Sequence, residues 1–519
     1  MPELTYDPSA SAIAMAELIF GDGVTVTSAS YTGDVDASAI YTDGDTISPG
    51  VVPSDSGVVL STGEAQAFTR SGSDPNGRTN TTTPNSGPNG DPLFEAIAGA
   101  NAFDASILEV DFIPDPGVNF ITMEFIFSSE EYPEFVGSIY NDMVGIWING
   151  DLVPLAAGNG ETSVSNINTS GGPNLFRDNT GDLFNTEMDG FTVSLSVTIP
   201  VIPGVENTLR VGVTDIGDAA YDSNVLIAAD SVQGTLVAFE DNVLLRPGDA
   251  KVVDVLANDL NATGGTVVIT HINDVAVSPG DSVTLTTGQT ITLNADGTLS
   301  MVGDDESEDV AFTYEVQSTT GDTAVGFIIV DTVPCFVAGT MIRTEAGEVP
   351  VEKLEVGQRV MTRDAGVQPI RWIGSRRMKA EGAMAPVEIG AGTFGDHRSL
   401  CVSPLHRVLV QNAQAELLFG SHELLVAARD LVDGKRVRIR EGGRVEYVHI
   451  LFDDHQVVWS EGLLTESFLP GPQTTHCFDA ARIAEICAIF PELDPKTGAG
   501  YGPAARPALK RHEARLLVA

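Results

Sequence analysis

The chain carries no cysteine in its first 334 residues, and then one appears, Cys335, directly after Val333 and Pro334. The other three, Cys401, Cys477 and Cys487, follow at uneven spacing, with no CxxC pair and no zinc pattern. A cysteine at the head of a domain has one reaction open to it that depends on its position. Its thiolate can add to the carbonyl of the preceding residue, here Pro334, exchanging the peptide bond for a thioester and freeing the Cys335 α-amine. The step is uphill unless the surroundings stabilise the tetrahedral intermediate and protonate the departing nitrogen. It needs a proton donor, usually a histidine, and polar groups near the oxyanion. The stretch SPLHRVL supplies both types, with Ser403 and His406 three residues apart at the end of a predicted strand. Cys335, Ser403 and His406 are the candidate catalytic residues, although each is also of a type that packs as a buried core group. Pro334 works against the reaction, because n→π* donation from the carbonyl before it dulls its own carbonyl by ~0.3–0.7 kcal/mol. His455, His397 and His422 are expected to be structural or exposed, and Cys477 and Cys487 to pack.

These residues need a scaffold, and the scaffold reads as all-β. After Cys335 the segments TMIRT, GQRVMT, QPIRWIGSRRM, LCVSPLHRVLVQ, RVRIR and VEYVHILF have strand character. Two helices are expected, SHELLVAARDLV from its helical apolar spacing and FDAARIAEICAIF ending before Pro491. Residues 471–519 read as a helical or irregular tail. Upstream, residues 4–235 consist of short β-type runs broken by Gly, Asp, Asn, Ser and Pro, the pattern of a β-sandwich. Within them, Thr69–Pro92 is polar throughout and is expected to be an exposed loop. Residues 236–333 form a second β unit of about immunoglobulin size, an Ig-like spacer.

Charge divides the chain at the same place as cysteine. The total is −44 over 519 residues. Residues 1–334 hold six Lys and Arg against 49 Asp and Glu, a net of −43, whereas residues 335–519 hold 22 against 23, a net of −1. The acidic part repels phosphate, so nucleic acid and anionic membrane surfaces are excluded as its partners. No run reaches the ~18 apolar residues of a membrane helix, so no span is expected. A long cysteine-free region suits an oxidising compartment. The N-terminus has no basic start followed by an apolar stretch, so it is not a conventional signal peptide.

The stretch CFVAGTMIRTEAGEVPVEKLEVGQRVMTRD resembles the opening of the Hint domain shared by Hedgehog autoprocessing domains and inteins. SPLHRVL resembles that family's Thr-x-x-His motif, with Ser403 in place of Thr, and YVHILFDDHQVVWSEGLLTES resembles its closing strands. The likeness spans residues 335–470 and implies a horseshoe-like β domain that processes itself, with His406 as proton donor. It also points to His449, which stands about where the family often has an Asp. Inteins end in His-Asn, whose Asn cyclises. Glu466 and Ser467 occupy about that place here, so the resemblance implies N-terminal cleavage or acyl transfer rather than splicing. Further upstream, FIFSSEEYPEFVGSIYNDMVGIWING and VTDIGDAAYDSNVLIAADS resemble the choice-of-anchor L domain of secreted bacterial surface proteins. DVLANDL, LNADGTL and FTYEV resemble the cadherin-like or VCBS-type β-sandwich repeats of adhesins.

The implied protein is secreted or held at the cell surface, exported by a leaderless route such as type I secretion. Its extracellular ligand is unnamed by the sequence, and an acceptor nucleophile is expected to resolve the thioester. No cofactor is required. Glu130, Glu131, Asn141, Asp142, Asp215, Asp218 and Asp222 form a carboxylate-rich set that could supply some of calcium's six to eight oxygen ligands, although solvated acidic loops explain it as well. Two competing readings are a non-enzymatic adhesin with a degenerate Hint domain and a Cys–His hydrolase acting in trans. The position of Cys335 at a domain boundary speaks against the hydrolase.

Overall fold

The computed structural model describes residues 2–509 apart from 79, 158–159, 244–249, 304–309, 331–334, 381–384, 412–421, 470–485, 488, 491–500 and 503. The chain is nearly all-β in class, and it divides into two compact units. One holds residues 1–241, 251–302 and 310–329, and the other residues 330–519 together with 242–250 and 303–309.

In the first unit, a sheet of eight strands and a sheet of six enclose a large apolar core, with two smaller apolar clusters beside it. Strands such as Phe120–Ser129 and Ser223–Ala228 are buried on both faces, which is why they read as runs of Val, Ile and Phe without clean alternation. The expected spacer keeps sheets of its own, one of five strands and one of four. It lies in the same compact unit as the sandwich, with Asn174 Nδ2 donating to Thr287 Oγ1 at 2.9 Å and Arg177 Nη2 to the Asn273 carbonyl at 2.9 Å.

The stretch Thr69–Pro92 is the expected loop: it has almost no regular structure and is largely exposed, with Thr69, Asn76 and Thr81 buried within it. These points dock on the sandwich. Thr81 N–H donates to Glu130 Oε1 at 2.8 Å, Thr83 N–H to Asp222 Oδ1 at 2.9 Å, and Asn76 Nδ2 to Asp189 Oδ1 at 2.7 Å. Composition alone does not reveal which residues of a polar segment find buried acceptors.

The second unit contains a six-stranded and an eight-stranded sheet around their own core. Here the helix expected at SHELLVAARDLV is absent. Glu423–Ala427 is a strand paired with Arg407–Gln411, from Arg407 opposite Ala427 to Gln411 opposite Glu423, and Ala428–Leu431 closes it as a 3-10 turn. Leu424, Leu425 and Val426 are all buried, so the run is apolar because both faces of the strand are covered, and its helical spacing is incidental. The other expected helix, FDAARIAEICAIF, and Cys477 lie largely outside the described residues, as does Pro334. Among the described residues no helix is long and apolar enough to cross a membrane.

Candidate functional site

Cys335 immediately precedes the two-residue strand Phe336–Val337, which sits between Arg444–Leu451 and Leu400–Val402 in the six-stranded sheet. Phe336 pairs with Val448 on one side and with Val402 on the other. The residue before Phe336 must therefore lie between the residues after Val448 and Val402, which are His449 and Ser403. Strand alternation sends Phe336, Val402 and Val448 into one core and Cys335 to the opposite face with Trp372, Tyr447 and Leu451. Three residues spread over 114 positions of the chain meet because one register admits no other arrangement.

The contacts are short. Cys335 Sγ lies 3.3 Å from His449 Nε2, and Cys335 N–H donates to Ser403 Oγ at 2.7 Å. Ser403 N–H returns a bond to the Cys335 carbonyl at 2.9 Å, and His406 N–H donates to the Ser403 carbonyl at 3.0 Å. Cys335 is 1% exposed. Cys335 therefore has an imidazole within proton-transfer reach of its sulfur, and its amide nitrogen is held by a hydroxyl.

His406 is placed differently from its expected role. Its ring packs on Phe336 with centroids 4.4 Å apart, and neither ring nitrogen has a hydrogen-bond partner among the described residues. Burial pushes its pKa down to about 4, against the pull of the Glu466 carboxylate, with Arg407 and His455 adding to the depression. At neutral pH the ring is uncharged. An orphaned buried polar side chain costs ~1–3 kcal/mol, so its retention asks for a reason that packing does not supply.

The site extends to two residues that sequence reasoning passed over. Glu466 is buried and accepts from Arg407 N–H at 2.9 Å, with Arg407 Nη1 at 3.4 Å. Burial pushes its carboxyl up, but His455, Arg407 and His406 outweigh that and hold it below the usual carboxylate range. His455 is buried and bonded within the fold, the structural one of its two expected roles. Its Nδ1 accepts from Ala505 N–H at 2.9 Å, which leaves the proton on Nε2, 3.1 Å from the Ser467 carbonyl and 3.5 Å from Glu466 Oε2. The available signal was an imidazole eleven positions before a carboxylate: Glu466 ends one closing strand, and His455 lies two residues ahead of the strand that pairs with it. Of the remaining histidines, His397 is buried and accepts from Phe394 N–H at 3.1 Å, and His422 is exposed.

In the first unit, Glu130, Glu131, Asp142, Asp215 and Asp222 are almost fully buried. Burial pushes Glu130 and Glu131 up to about 9, Asp142 to about 7 and Asp222 to about 6, and raises Asp215 further. Asp142 accepts from Ser223 Oγ at 2.7 Å and from Ile216 N–H at 3.0 Å. Among the described residues, one oxygen each of Glu130, Glu131 and Asp215 has no hydrogen-bond partner. Among the described residues, no group of three or more His, Cys, Asp or Glu is placed to hold a metal ion.

The chain is nearly all-β, and its C-terminal part carries a Hint domain. Residues 334–472 match the family model described as "Hint domain", and residues 7–233 match the model described as "Choice-of-anchor L domain". Solved structures similar to the chain include the gp41-1 intein, 9% identical, covering 26% of this chain and 98% of that one with a TM-score of 0.18. A bacterial intein-like domain from Clostridium thermocellum is 16% identical over 26% of this chain and 99% of its own, with a TM-score of 0.20. The MchDnaB-1 intein is 13% identical over 25% and 98%, with a TM-score of 0.18. No curated protein matches the chain.

Proposed function

We propose that the C-terminal domain processes its own chain. The Cys335 thiolate, formed by proton transfer to His449, adds to the Pro334 carbonyl. The C–N bond breaks, and the proton ends on the Cys335 α-amine. An external nucleophile then resolves the thioester, releasing or transferring residues 1–334. The observation that carries this reading is the pair of contacts on one residue, Sγ at 3.3 Å from His449 Nε2 and N–H at 2.7 Å from Ser403 Oγ. Splicing is not part of the reaction, since Glu466 and Ser467 stand where a cyclising Asn would be needed. The choice-of-anchor L match supports a surface-associated or exported protein, with its acidic front end as the part presented or released. Export by a leaderless route and an adhesive role for the front end complete this reading.

Incubating the purified full chain with and without a small thiol tests it. Thiol-dependent scission to fragments 1–334 and 335–519 is expected, and an unchanged band overturns it. A second reading, an adhesin whose Hint domain is inert, draws on His406: a ring that is neutral at pH 7 and touches no acceptor or donor is a weak acid for the departing amine. The same incubation separates the two.

A further inference from the structure

The first unit holds buried oxygen atoms that its own hydrogen bonds leave unanswered. Strand Phe120–Ser129 ends with Ser129 opposite Gly190, which sets the next residue, Glu130, beside Asp189. The polar loop comes down on the same spot. Thr81 N–H holds Glu130 Oε1 at 2.8 Å, Asn76 Nδ2 holds Asp189 Oδ1 at 2.7 Å, and Gly77 N–H reaches Glu187 Oε1 at 3.4 Å. Burial pushes the Glu130 carboxyl up to about 9, and the charges of Asp189 and Glu187 add to the rise, so the three acids share one field. Glu130, Glu187, Asn76 and Thr81 are each 6% exposed or less. Among the described residues, Glu130 Oε2, Glu187 Oε2, Asn76 Oδ1 and Thr81 Oγ1 have no hydrogen-bond partner. Asn76 is the telling member. Turning its amide over would set one oxygen against another at Asp189, so the nitrogen stays on that acid and Oδ1 stays unpaired. A proton can neutralise a carboxylate, but an amide oxygen remains an acceptor at any pH.

We propose that these four oxygens are the protein's share of a calcium site, which staples the loop Thr69–Pro92 to the sandwich. Of the carboxylate set read from the sequence, Glu130 alone belongs to it. Two carboxylates supply the two negative charges that a divalent ion matches, so charge balance needs no third acid. The amide and hydroxyl oxygens add neutral donors, and no nitrogen or sulfur stands among the four, which is the ligand chemistry of calcium. Calcium takes six to eight oxygens in flexible geometry and fills its remaining positions with water, whereas magnesium demands a near-ideal octahedron. The ligands divide evenly. Asn76 and Thr81 come from the loop, and Glu130 and Glu187 from the stretches flanking the paired strands Phe120–Ser129 and Gly190–Thr192. Lifting the loop would strip the ion of half its protein ligands, so binding and loop order are one equilibrium. The site belongs to the front end and is independent of the self-processing reading.

The experiment uses the full chain, stripped with EGTA and titrated with calcium chloride by isothermal calorimetry, with tryptic cleavage after exposed Arg78 as a second readout. In the wild type, saturable binding at one site is expected, with a dissociation constant of about 10⁻³ M or tighter and magnesium at least tenfold weaker. Calcium should slow cleavage after Arg78 by about fivefold or more. Glu187→Gln keeps the shape and removes the charge, and Asn76→Ala removes the amide oxygen. Each should weaken calcium binding tenfold or more and abolish the protection of Arg78. Glu109→Gln, an exposed acid on the strand Ala102–Pro114, should change neither. Thermal melts of the metal-free variants show that they fold, and if Asn76→Ala does not, Glu187→Gln decides alone. The absence of saturable calcium binding, or an affinity that Glu187→Gln leaves at the wild-type value, overturns the site. Calcium binding that leaves cleavage after Arg78 at its metal-free rate overturns the staple.

Discussion

At the scale of single residues, the roles assigned to Cys335, Ser403, His406 and His449 make unequal predictions. Cys335→Ala removes the only group able to form the thioester and should abolish thiol-dependent scission with the fold intact, as gel analysis and a thermal melt would show together. His449→Ala takes away the imidazole at 3.3 Å from the sulfur and is expected to slow scission by ~10²–10⁴-fold. Ser403→Ala leaves the Cys335 amide without its side-chain acceptor, a smaller loss, since a hydroxyl orients the nitrogen but supplies no charge. Ser403 and His406 were legible from sequence because they lie in one heptapeptide. His449 emerged only through family resemblance, since its spacing from Cys335 carries no local signal. Glu466 and His455 were not legible as a pair, because what joins them is the register of two strands and a backbone donor from Ala505 far downstream.

Elements explain where reading by period works and where it fails. The strands flanking Cys335 are short, three to eight residues, and their alternation survives because one face meets a core and the other the site. Phe336 anchors that arrangement from the core side, and Phe336→Ala should cost ~3–5 kcal/mol of stability, read as a lowered melting temperature of the C-terminal unit. A doubly covered strand such as Glu423–Ala427 has no face to mark, so its apolar run fits helix and strand alike, and only the neighbouring Arg407–Gln411 decides. The polar stretch Thr69–Pro92 reads correctly as a largely exposed loop, but the few residues it buries depend on acceptors contributed by distant strands. Thr83 bonds Asp222 twice, through N–H and through Oγ1 at 2.6 Å. Thr83→Val should therefore cost ~1 kcal/mol, and faster proteolytic nicking within residues 69–92 would report it.

For the molecule as a whole, the all-β class and the change of character near residue 334 were visible in composition, because charge and cysteine use both switch there. The buried carboxyls of the first unit were visible as residues but not as burial, and they set its response to pH. Their folded pKa values are raised, so the native state keeps protons that the unfolded chain releases above ~4. The stabilisation is complete below that point and is lost as pH rises through the windows of Asp222 at about 6, Asp142 at about 7 and Glu130 and Glu131 at about 9. Urea midpoints of the first unit should fall steadily from pH 5 to pH 9, and Glu131→Gln, which cannot ionise, should flatten the slope. The proposed cleavage ends differently from ordinary proteolysis. In it, the Cys335 amine that leaves Pro334 goes nowhere, because Ser403 Oγ and the Ser403 amide clasp that residue at both its nitrogen and its carbonyl. A tethered leaving group at high effective concentration re-attacks at once, so the proposed acyl shift is a rapid equilibrium resting on the amide side. Such a reaction is reversible in the chain's own hands, and only the concentration of an outside nucleophile gives it a direction.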